Sequence, residues 1–228
     1  MTVLLKSKEW LTRIGARLSP RMIHNFDAAV NYLEVGRWMA ARGFDTSRRV
    51  GHRFEIYSEV TRALGSARVL YLEFGVHRGE SIARWAKLLR EPDCRFIGFD
   101  SFEGLPENWK VDGQRGTFST EGKPPEISDA RVSFVKGWFD ETLPGFTPPT
   151  HERLVLHFDA DLYSSTRTAL AAMEPCIAVG TYLLFDEFAD RHHELRAFDE
   201  FLAAHLNWEL RLVACDRLLT QVAFERTC

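Results

Sequence analysis

Residues 154–163 read LVLHFDADLY and residues 181–188 read TYLLFDEF, so two apolar runs each end in acidic residues. Runs of this length and composition are typical of strands buried on both faces of a parallel sheet. A helical stretch and a glycine separate them, which completes a strand–helix–strand unit. Because the strands of such a unit end at the same edge of the sheet, we expect four acidic side chains to meet there: Asp159, Asp161, Asp186 and Glu187.

Four carboxylates at one sheet edge constrain the chemistry of that edge. They repel one another strongly unless a cation or a proton lies between them. The pattern therefore predicts a site for a hard metal ion with a spare carboxylate beside it. The alternative is that these acids cap helices and form salt bridges with residues such as Arg191.

Composition indicates one enzyme-sized chain rather than a nucleic-acid-binding or secreted protein. The 228 residues are 45% hydrophobic, carry a net charge of −3 and have a pI near 6.3, which gives no basic surface for nucleic acid. The four cysteines are scattered, as expected of reduced thiols. The start does not resemble a signal peptide and no run of 18 apolar residues occurs, so we predict a cytoplasmic protein without a transmembrane segment.

The pattern of elements predicts an α/β fold with two parts. Residues 1–66 read as a helical N-terminal extension, and residues 67–228 alternate between strands and helices. The last two alternating runs, residues 208–214 and 219–224, have a short join that predicts an antiparallel hairpin. We therefore expect a Rossmann-like, seven-stranded, mostly parallel sheet whose last strand is antiparallel.

The first helix of the extension is basic and amphipathic. Leu4, Leu11, Ile14 and Leu18 follow helical spacing, with lysine and arginine residues among them. Such a helix can lie on a membrane surface, or it can dock on its own domain or on a second subunit. Docking is the more ordinary interpretation, and it leaves a homo-oligomer open.

The turn after the first strand is typical of nucleotide binding. Residues 73–81 read EFGVHRGES, so Gly75 and Gly79 lie between a strand and a helix, where backbone can approach a ligand closely. Asp100 ends the second strand and is suited to bind a ribose diol. The alternative is a tight turn plus an Asp that caps a helix. His77 stands where a dinucleotide fingerprint has its middle glycine, which disfavours NAD.

The segment of residues 103–129 is rich in glycine and proline and is too long for an ordinary connection between a strand and a helix. We therefore expect it to act as a lid over the site.

Four segments carry a resemblance to a known family. They are EFGVHRG at residues 73–79, FDSFEGLP at 99–106, KGWFDETLP at 136–144 and DADLY at 159–163. Together they resemble the macrocin O-methyltransferase family, metal-dependent enzymes that use S-adenosylmethionine to methylate sugar hydroxyls of natural products. The resemblance implies a class I methyltransferase fold. It also implies that Asp159, Asp186 and Glu187 bind Mg²⁺ (or Mn²⁺), and that Asp161 is the general base.

The resemblance, with the glycine turn, assigns nine residues to the cofactor: Glu73, Gly75, Gly79, Ser81, Asp100, Ser101, Gly137, Trp138 and Asp159. The acceptor would be a hydroxyl on a small sugar or another vicinal diol in a glycosylated or secondary metabolite. Two other functions stay open, a nicotinamide-dependent oxidoreductase and a non-catalytic binding module. The missing middle glycine argues against the first, and an intact Asp161 argues against the second.

Overall fold

The computed structural model describes residues 2–109 and 113–228, with side chains from residue 6 onward. Its centre is a seven-stranded sheet with strand order β3-β2-β1-β4-β5-β7-β6. Strands β1 to β5 are parallel, whereas β7 runs antiparallel to both β5 and β6. This confirms the predicted mostly parallel, Rossmann-like sheet with an antiparallel last strand. The strands are β1 Val69–Phe74, β2 Arg95–Asp100, β3 Val132–Lys136, β4 Arg153–Phe158, β5 Tyr182–Phe185, β6 Leu210–Cys215 and β7 Val222–Arg226.

Helices cover both faces of the sheet. The helices are α1 Thr2–Gly15, α2 Pro20–Ala41, α3 Arg53–Leu64, α4 Glu80–Leu88, α5 Phe139–Thr142, α6 Tyr163–Met173 and α7 Glu194–Ala203, and a 3₁₀ turn spans Glu174–Cys176. None of the helices in the described ranges has both the length and the apolar character that crossing a bilayer requires.

The hydrophobic core has two layers because the side chains of a strand alternate between faces. Leu70, Leu72 and Phe74 of β1 pack into one layer together with residues of α2, α6 and α7. Val69 and Tyr71 pack into the other layer with α3 and α4. All six residues of β1 are buried, as expected of a central strand.

Four phenylalanine rings form a row across the sheet directly below its functional edge. Phe99, Phe74, Phe158 and Phe185 come from β2, β1, β4 and β5, which is their order in the sheet. Successive ring centroids lie 5.5, 5.2 and 5.0 Å apart, and the planes are within 17° of parallel. Each ring is followed by a residue predicted to belong to the site. We call this row the phenylalanine ladder.

The N-terminal helices are partly embedded in the core. The C-terminal half of α2 buries Val35, Trp38 and Met39 in the layer that α6 and α7 cover. Trp38 donates from its indole nitrogen to Asp199 Oδ1 at 2.8 Å, which ties α2 to α7. The division of the chain at residue 66 stays a prediction.

The closing hairpin differs from the prediction in its turn. The second strand starts at Val222, not at Leu219, because residues 216–221 form the connection. Leu219 has a φ of 60°, and Asp216 Oδ1 accepts the N–H groups of Thr220 and Gln221. Leu219 is apolar although it lies in the turn, so the alternating pattern of the sequence begins before the strand does.

Candidate active site

A cavity of about 780 Å³ opens at the carboxyl edge of the parallel strands, where ligands of such sheets bind. Its volume is in the range of small-molecule sites. It brings together most of the residues that the sequence singled out: Gly75, Ser81, Asp100, Ser101, Gly137, Trp138, Asp159, Asp161, Asp186 and Glu187. Glu73 and Gly79 are not among the lining residues.

One end of the cavity is shaped by Asp100. Its Oδ2 accepts the N–H groups of Val76 and His77, both at 2.8 Å, and its Oδ1 accepts the N–H of Phe102 at 2.7 Å. Asp100 thus holds the turn after β1 against the end of β2. It does not cap α4, whose N-cap is Gly79.

The two glycines of the β1 turn have different tasks. Gly75 has a φ of +92°, and a Cβ placed on it would lie 1.9 Å from the carbonyl oxygen of Asp159. The β1 and β4 turns therefore touch through this glycine. A Cβ on Gly79 would lie 2.9 Å from Cγ of Pro125, so Gly79 packs against the segment 103–129.

The other end of the cavity is acidic. Burial raises the pKa of the Asp159 carboxyl well above its ordinary value, and the nearby carboxylates of Asp186 and Asp161 raise it further. Asp161 also lines the cavity and has a φ of 58°, a left-handed conformation that is uncommon outside glycine. The strained turn carries the predicted base into the cavity.

Arg53 supplies a positive charge to this acidic end. Its guanidinium lies 3.3 Å from Asp186 Oδ2 and 3.3 Å from Glu80 Oε2. Asp186 is 7% exposed, and its Oδ1 makes no hydrogen bond within the described parts of the chain. Burial raises the pKa of Asp186, and Arg53 partly offsets that rise.

The donor set fits a hard cation, although the side chains are not gathered around one point. In residues 2–109 and 113–228, no group of three or more His, Cys, Asp or Glu side chains is positioned to hold a metal ion. The donors are nevertheless carboxylate oxygens, which Mg²⁺ and Mn²⁺ prefer. Mutual repulsion in the cluster and the unbonded Asp186 Oδ1 both favour a bound cation.

Glu73 lies beneath the cavity in a buried polar group. The Tyr71 hydroxyl is 2.6 Å from Glu73 Oε2, to which it donates, and 2.7 Å from His157 Nδ1. Burial raises the pKa of Glu73 to about 8 and lowers that of His157 to about 3. His157 is thus a hydrogen-bonded interior histidine, and Glu73 supports the floor of the site.

Two charged residues reach this edge without a sequence signal that places them there, Arg53 and Glu194. Arg53 opens α3, far from any strand end, and no spacing rule connects it to the acids. Glu194 is fully buried and accepts the N–H of Glu187 at 2.9 Å, which fixes the acidic turn. Burial raises the Glu194 pKa well above its ordinary value. The only signal in the sequence was its position in the first turn of an amphipathic helix.

The two histidines after the acidic turn do not line the cavity. His193 Nδ1 accepts the N–H of Tyr163 at 3.1 Å and so binds the start of α6. His192 is exposed, and its backbone N–H donates to Asp190 Oδ1. Both histidines therefore contact the protein itself rather than the cavity.

The segment 103–129 borders the cavity, as its predicted position required. Gly104, Leu105, Pro106, Trp109, Arg115 and Phe118 line the cavity. Glu107 Oε1 accepts the Ser164 hydroxyl at 2.6 Å, which joins the segment to α6. Residues 110–112 of the predicted lid are outside the described residues, and its closing motion stays a prediction.

Comparisons with known sequences identify related proteins. A model of the macrocin-O-methyltransferase (TylF) family matches residues 66–217. The chain is 32% identical to the 8-demethyl-8-(2,3-dimethoxy-alpha-L-rhamnosyl)-tetracenomycin-C 4'-O-methyltransferase of Streptomyces olivaceus, over 52% of each chain. It is 32% identical to the demethyldecarbamoylnovobiocin O-methyltransferase of Streptomyces niveus, over 51% of this chain and 52% of that one. The chain thus spans about half the length of the curated relatives it matches.

Solved structures with the same fold are also methyltransferases. The O-methyltransferase NovP superimposes with a TM-score of 0.59 at 26% identity, covering 77% of this chain and 80% of that one. CalS11, a calicheamicin methyltransferase, gives 0.59 at 21% identity, covering 76% and 78%. At that identity the second likeness shows the fold alone.

Proposed function

Because the chain belongs to the macrocin-O-methyltransferase family, we propose that it transfers a methyl group from S-adenosylmethionine to a hydroxyl. The acceptor is a sugar or another vicinal diol in a glycosylated or secondary metabolite, and Mg²⁺ or Mn²⁺ assists. The names of the two relatives support this acceptor class, since one refers to a rhamnosyl compound and the other to a novobiocin precursor.

One observation carries the proposal. A single cavity is lined both by the glycine turn and Asp100 and by four acids, Asp159, Asp161, Asp186 and Glu187. Methyl transfer requires this layout, because the acceptor oxygen must lie in line with the departing thioether. A non-catalytic protein that only binds the cofactor would not need these four acids.

One set of residues would bind the methyl donor, and another set would hold the metal ion for the acceptor. The residues that would bind and orient S-adenosylmethionine are Gly75, Ser81, Asp100, Ser101, Gly137 and Trp138, with Glu73 and Gly79 supporting them from behind the cavity wall. At the acidic end, Asp159, Asp186 and Glu187 would hold the metal ion. When bound, the sulfonium supplies the methyl group, and the metal ion lowers the pKa of a hydroxyl that it coordinates.

Asp161 would remove the acceptor's proton. It lines the cavity beside the predicted metal ligands, and a carboxylate within hydrogen-bond reach of a hydroxyl contributes typically about 10²–10⁴ in rate. Glu194 would keep the acidic turn in place through its bond to the Glu187 N–H. Apolar lining residues such as Leu105 and Phe139 would exclude water from the reaction.

The proposal is tested by binding and by transfer. Calorimetric titration with S-adenosylmethionine and with NADH separates a methyltransferase from an oxidoreductase. Labelled S-adenosylmethionine is then offered with rhamnosylated and other glycosylated small molecules and with their deoxy analogues, with Mg²⁺ or with EDTA. We expect label only in acceptors that keep the diol, and only with Mg²⁺ or Mn²⁺. Binding of NADH alone would overturn the proposal, and cofactor binding without transfer to any diol would favour a non-catalytic module.

A further inference from the structure

The N-terminal arm, which we define as α1 and α2 at residues 2–41, displays an unusual share of exposed apolar side chains. Leu33 is 73% exposed and Phe26 is 60% exposed. Exposed apolar clusters of this size mark interaction surfaces. Of the twelve large hydrophobic side chains exposed in the described parts of the chain, eight are in the arm: Trp10, Leu11, Met22, Ile23, Phe26, Val30, Tyr32 and Leu33.

Helix α2 has two apolar faces, and only one of them is covered by the parts of the chain that the structure describes. With 100° per residue, five of the exposed side chains fall within about 100° of arc. We call these five the α2 stripe: Met22, Ile23, Phe26, Val30 and Leu33. The buried residues Val35, Trp38 and Met39 fall on the opposite side and pack into the core. A surface helix of a monomer ordinarily has one apolar face and one polar face.

The charges on the arm are complementary between its two helices. Residues 22–36 contain no lysine or arginine, and Asp27 and Glu34 lie beside the α2 stripe. Both acids contact Arg191, yet each side chain is still 44% exposed. By contrast, α1 has one acid, Glu9, and three bases, Lys6, Lys8 and Arg13, and Arg17 and Arg21 follow before residue 22.

We propose that the α2 stripe is the docking surface for a second copy of this chain, whose basic α1 lies along the acidic edge at Asp27 and Glu34. A two-fold contact must be self-complementary, and an arm with one basic and one acid-flanked helix satisfies this. The five side chains of the α2 stripe, together with Trp10 and Leu11 of α1, offer about 100 Å² each, or about 700 Å² per copy, which is within the range of a stable interface.

The charge pattern favours a second copy over a lipid surface. An interfacial membrane helix carries lysine and arginine beside its apolar face. The α2 stripe instead has Asp27 and Glu34 at its edge, which anionic lipid would repel. Through Arg191 the docking surface also connects to the loop after β5 that carries Asp186 and Glu187.

Sedimentation velocity and light scattering on the full chain test the proposal. We expect a dimer of about twice 26.2 kDa. The double variant Phe26→Glu with Leu33→Glu should raise the dimer dissociation constant about 100-fold or more, because two apolar contacts become buried charges. Leu206→Glu is the matched control, since Leu206 is 89% exposed and lies outside the arm; it should leave the dimer intact.

Each other outcome overturns the proposal. A monomeric wild-type chain at tens of micromolar concentration contradicts it, as does a dimer that the double variant leaves unchanged. A monomer that binds phosphatidylglycerol vesicles through the same two residues assigns the stripe to a membrane instead. Thermal melting confirms that the variants fold; if the glutamates lower the melting temperature, Phe26→Ser with Leu33→Ser is read in their place.

Discussion

The guanidinium of Arg53 and the carboxylate of Asp186 are 3.3 Å apart, although Arg53 lies outside the segment 66–217 that matches the family model. Arg53 opens α3, whereas Asp186 directly follows β5. Burial raises the pKa of Asp186, and the positive charge of Arg53 lowers it again in part. The N-terminal helices therefore contribute charge to the candidate site as well as packing.

Replacing Arg53 should destabilise the protein in a pH-dependent way. In Arg53→Met the folded-state pKa of Asp186 should rise further above its unfolded value. A carboxyl whose folded pKa is raised costs stability as pH rises from the unfolded to the folded pKa. The deficit relative to wild type should thus be larger at pH 8, at about 1–3 kcal/mol, than at pH 5. Urea denaturation in EDTA measures it. Arg84→Met is the control, because Arg84 shares the Phe54 ring contact but has no ion pair to Asp186.

Asp161 and Asp159 should differ in what their loss does. Asp161→Asn keeps the size of the side chain but removes its basicity, so kcat should fall about 10²- to 10⁴-fold with little change in cofactor or metal affinity. Asp159→Asn removes a charged ligand, so activity should require more Mg²⁺. Activity measured across Mg²⁺ concentrations separates the two. Equal rescue of both variants by excess Mg²⁺ would make Asp161 a metal ligand.

Glu73→Gln should stabilise the protein increasingly as pH rises. The pKa of Glu73 is raised to about 8 in the fold, so wild type retains a proton that the unfolded chain releases above about 4.5. Between these values wild type should lose up to about 1.4 kcal/mol per pH unit relative to the variant. Denaturation at pH 5, 6.5 and 8 measures this gap. Glu121→Gln, at a side chain 85% exposed, should show no trend, and a gap that does not change with pH would contradict the raised pKa.

Gly75→Ala should be far more damaging than its backbone angle alone explains. The new Cβ would meet the Asp159 carbonyl at 1.9 Å, so the β4 turn must move. We expect a loss of about 3 kcal/mol or more, against about 1 kcal/mol for Gly116→Ala. Gly116 has a similar φ of +84° with no atom within 4 Å of its added Cβ. Thermal melts of the two variants separate the cost of the steric clash from the cost of the backbone angle. Equal losses of stability would show that the β1 and β4 turns can move apart without further cost.

The segment 103–129 should exchange its amide hydrogens more slowly when S-adenosylhomocysteine is bound. Leu105 and Trp109 line the cavity, and the described anchor to α6 is the Glu107–Ser164 bond. Hydrogen exchange followed by mass spectrometry measures this slowing with and without S-adenosylhomocysteine. The β1 peptide 69–74 serves as the internal reference, since it is buried in either state. Protection that is identical with and without ligand would argue against a lid.

Sequence reasoning located the site because strand ends are readable. Apolar runs ending at Gly75, Asp100, Asp159 and Asp186 placed these residues at one edge, and the cavity contains all four. The method works because parallel strands share an edge regardless of how helices pack. The pattern of strand ends does not identify residues that reach this edge from other parts of the fold.

Arg53 and Glu194 show this limit. Each is in the first turn of a helix, where charged residues are common and their side chains are usually exposed to solvent. Only tertiary packing tells that Glu194 is buried behind the acidic turn. Likewise, the three backbone contacts of Asp100 could not be read from its position, which suited a ribose contact equally well.

The phenylalanine ladder separates folding from chemistry at this edge. Strands β1, β4 and β5 end at their ring and β2 ends one residue beyond Phe99, and the residue after each ring lines the cavity. A substitution at Asp159 or Asp186 can change the charge of the cavity while the stack beneath stays intact, whereas Gly75 has no room for a Cβ. Deleting one residue within any of these strands would instead break the stack and turn its polar neighbour to the other face of the sheet. The chemistry of this edge can therefore vary by substitution at Asp159 and Asp186, whereas we expect a change in strand length to disrupt the edge itself.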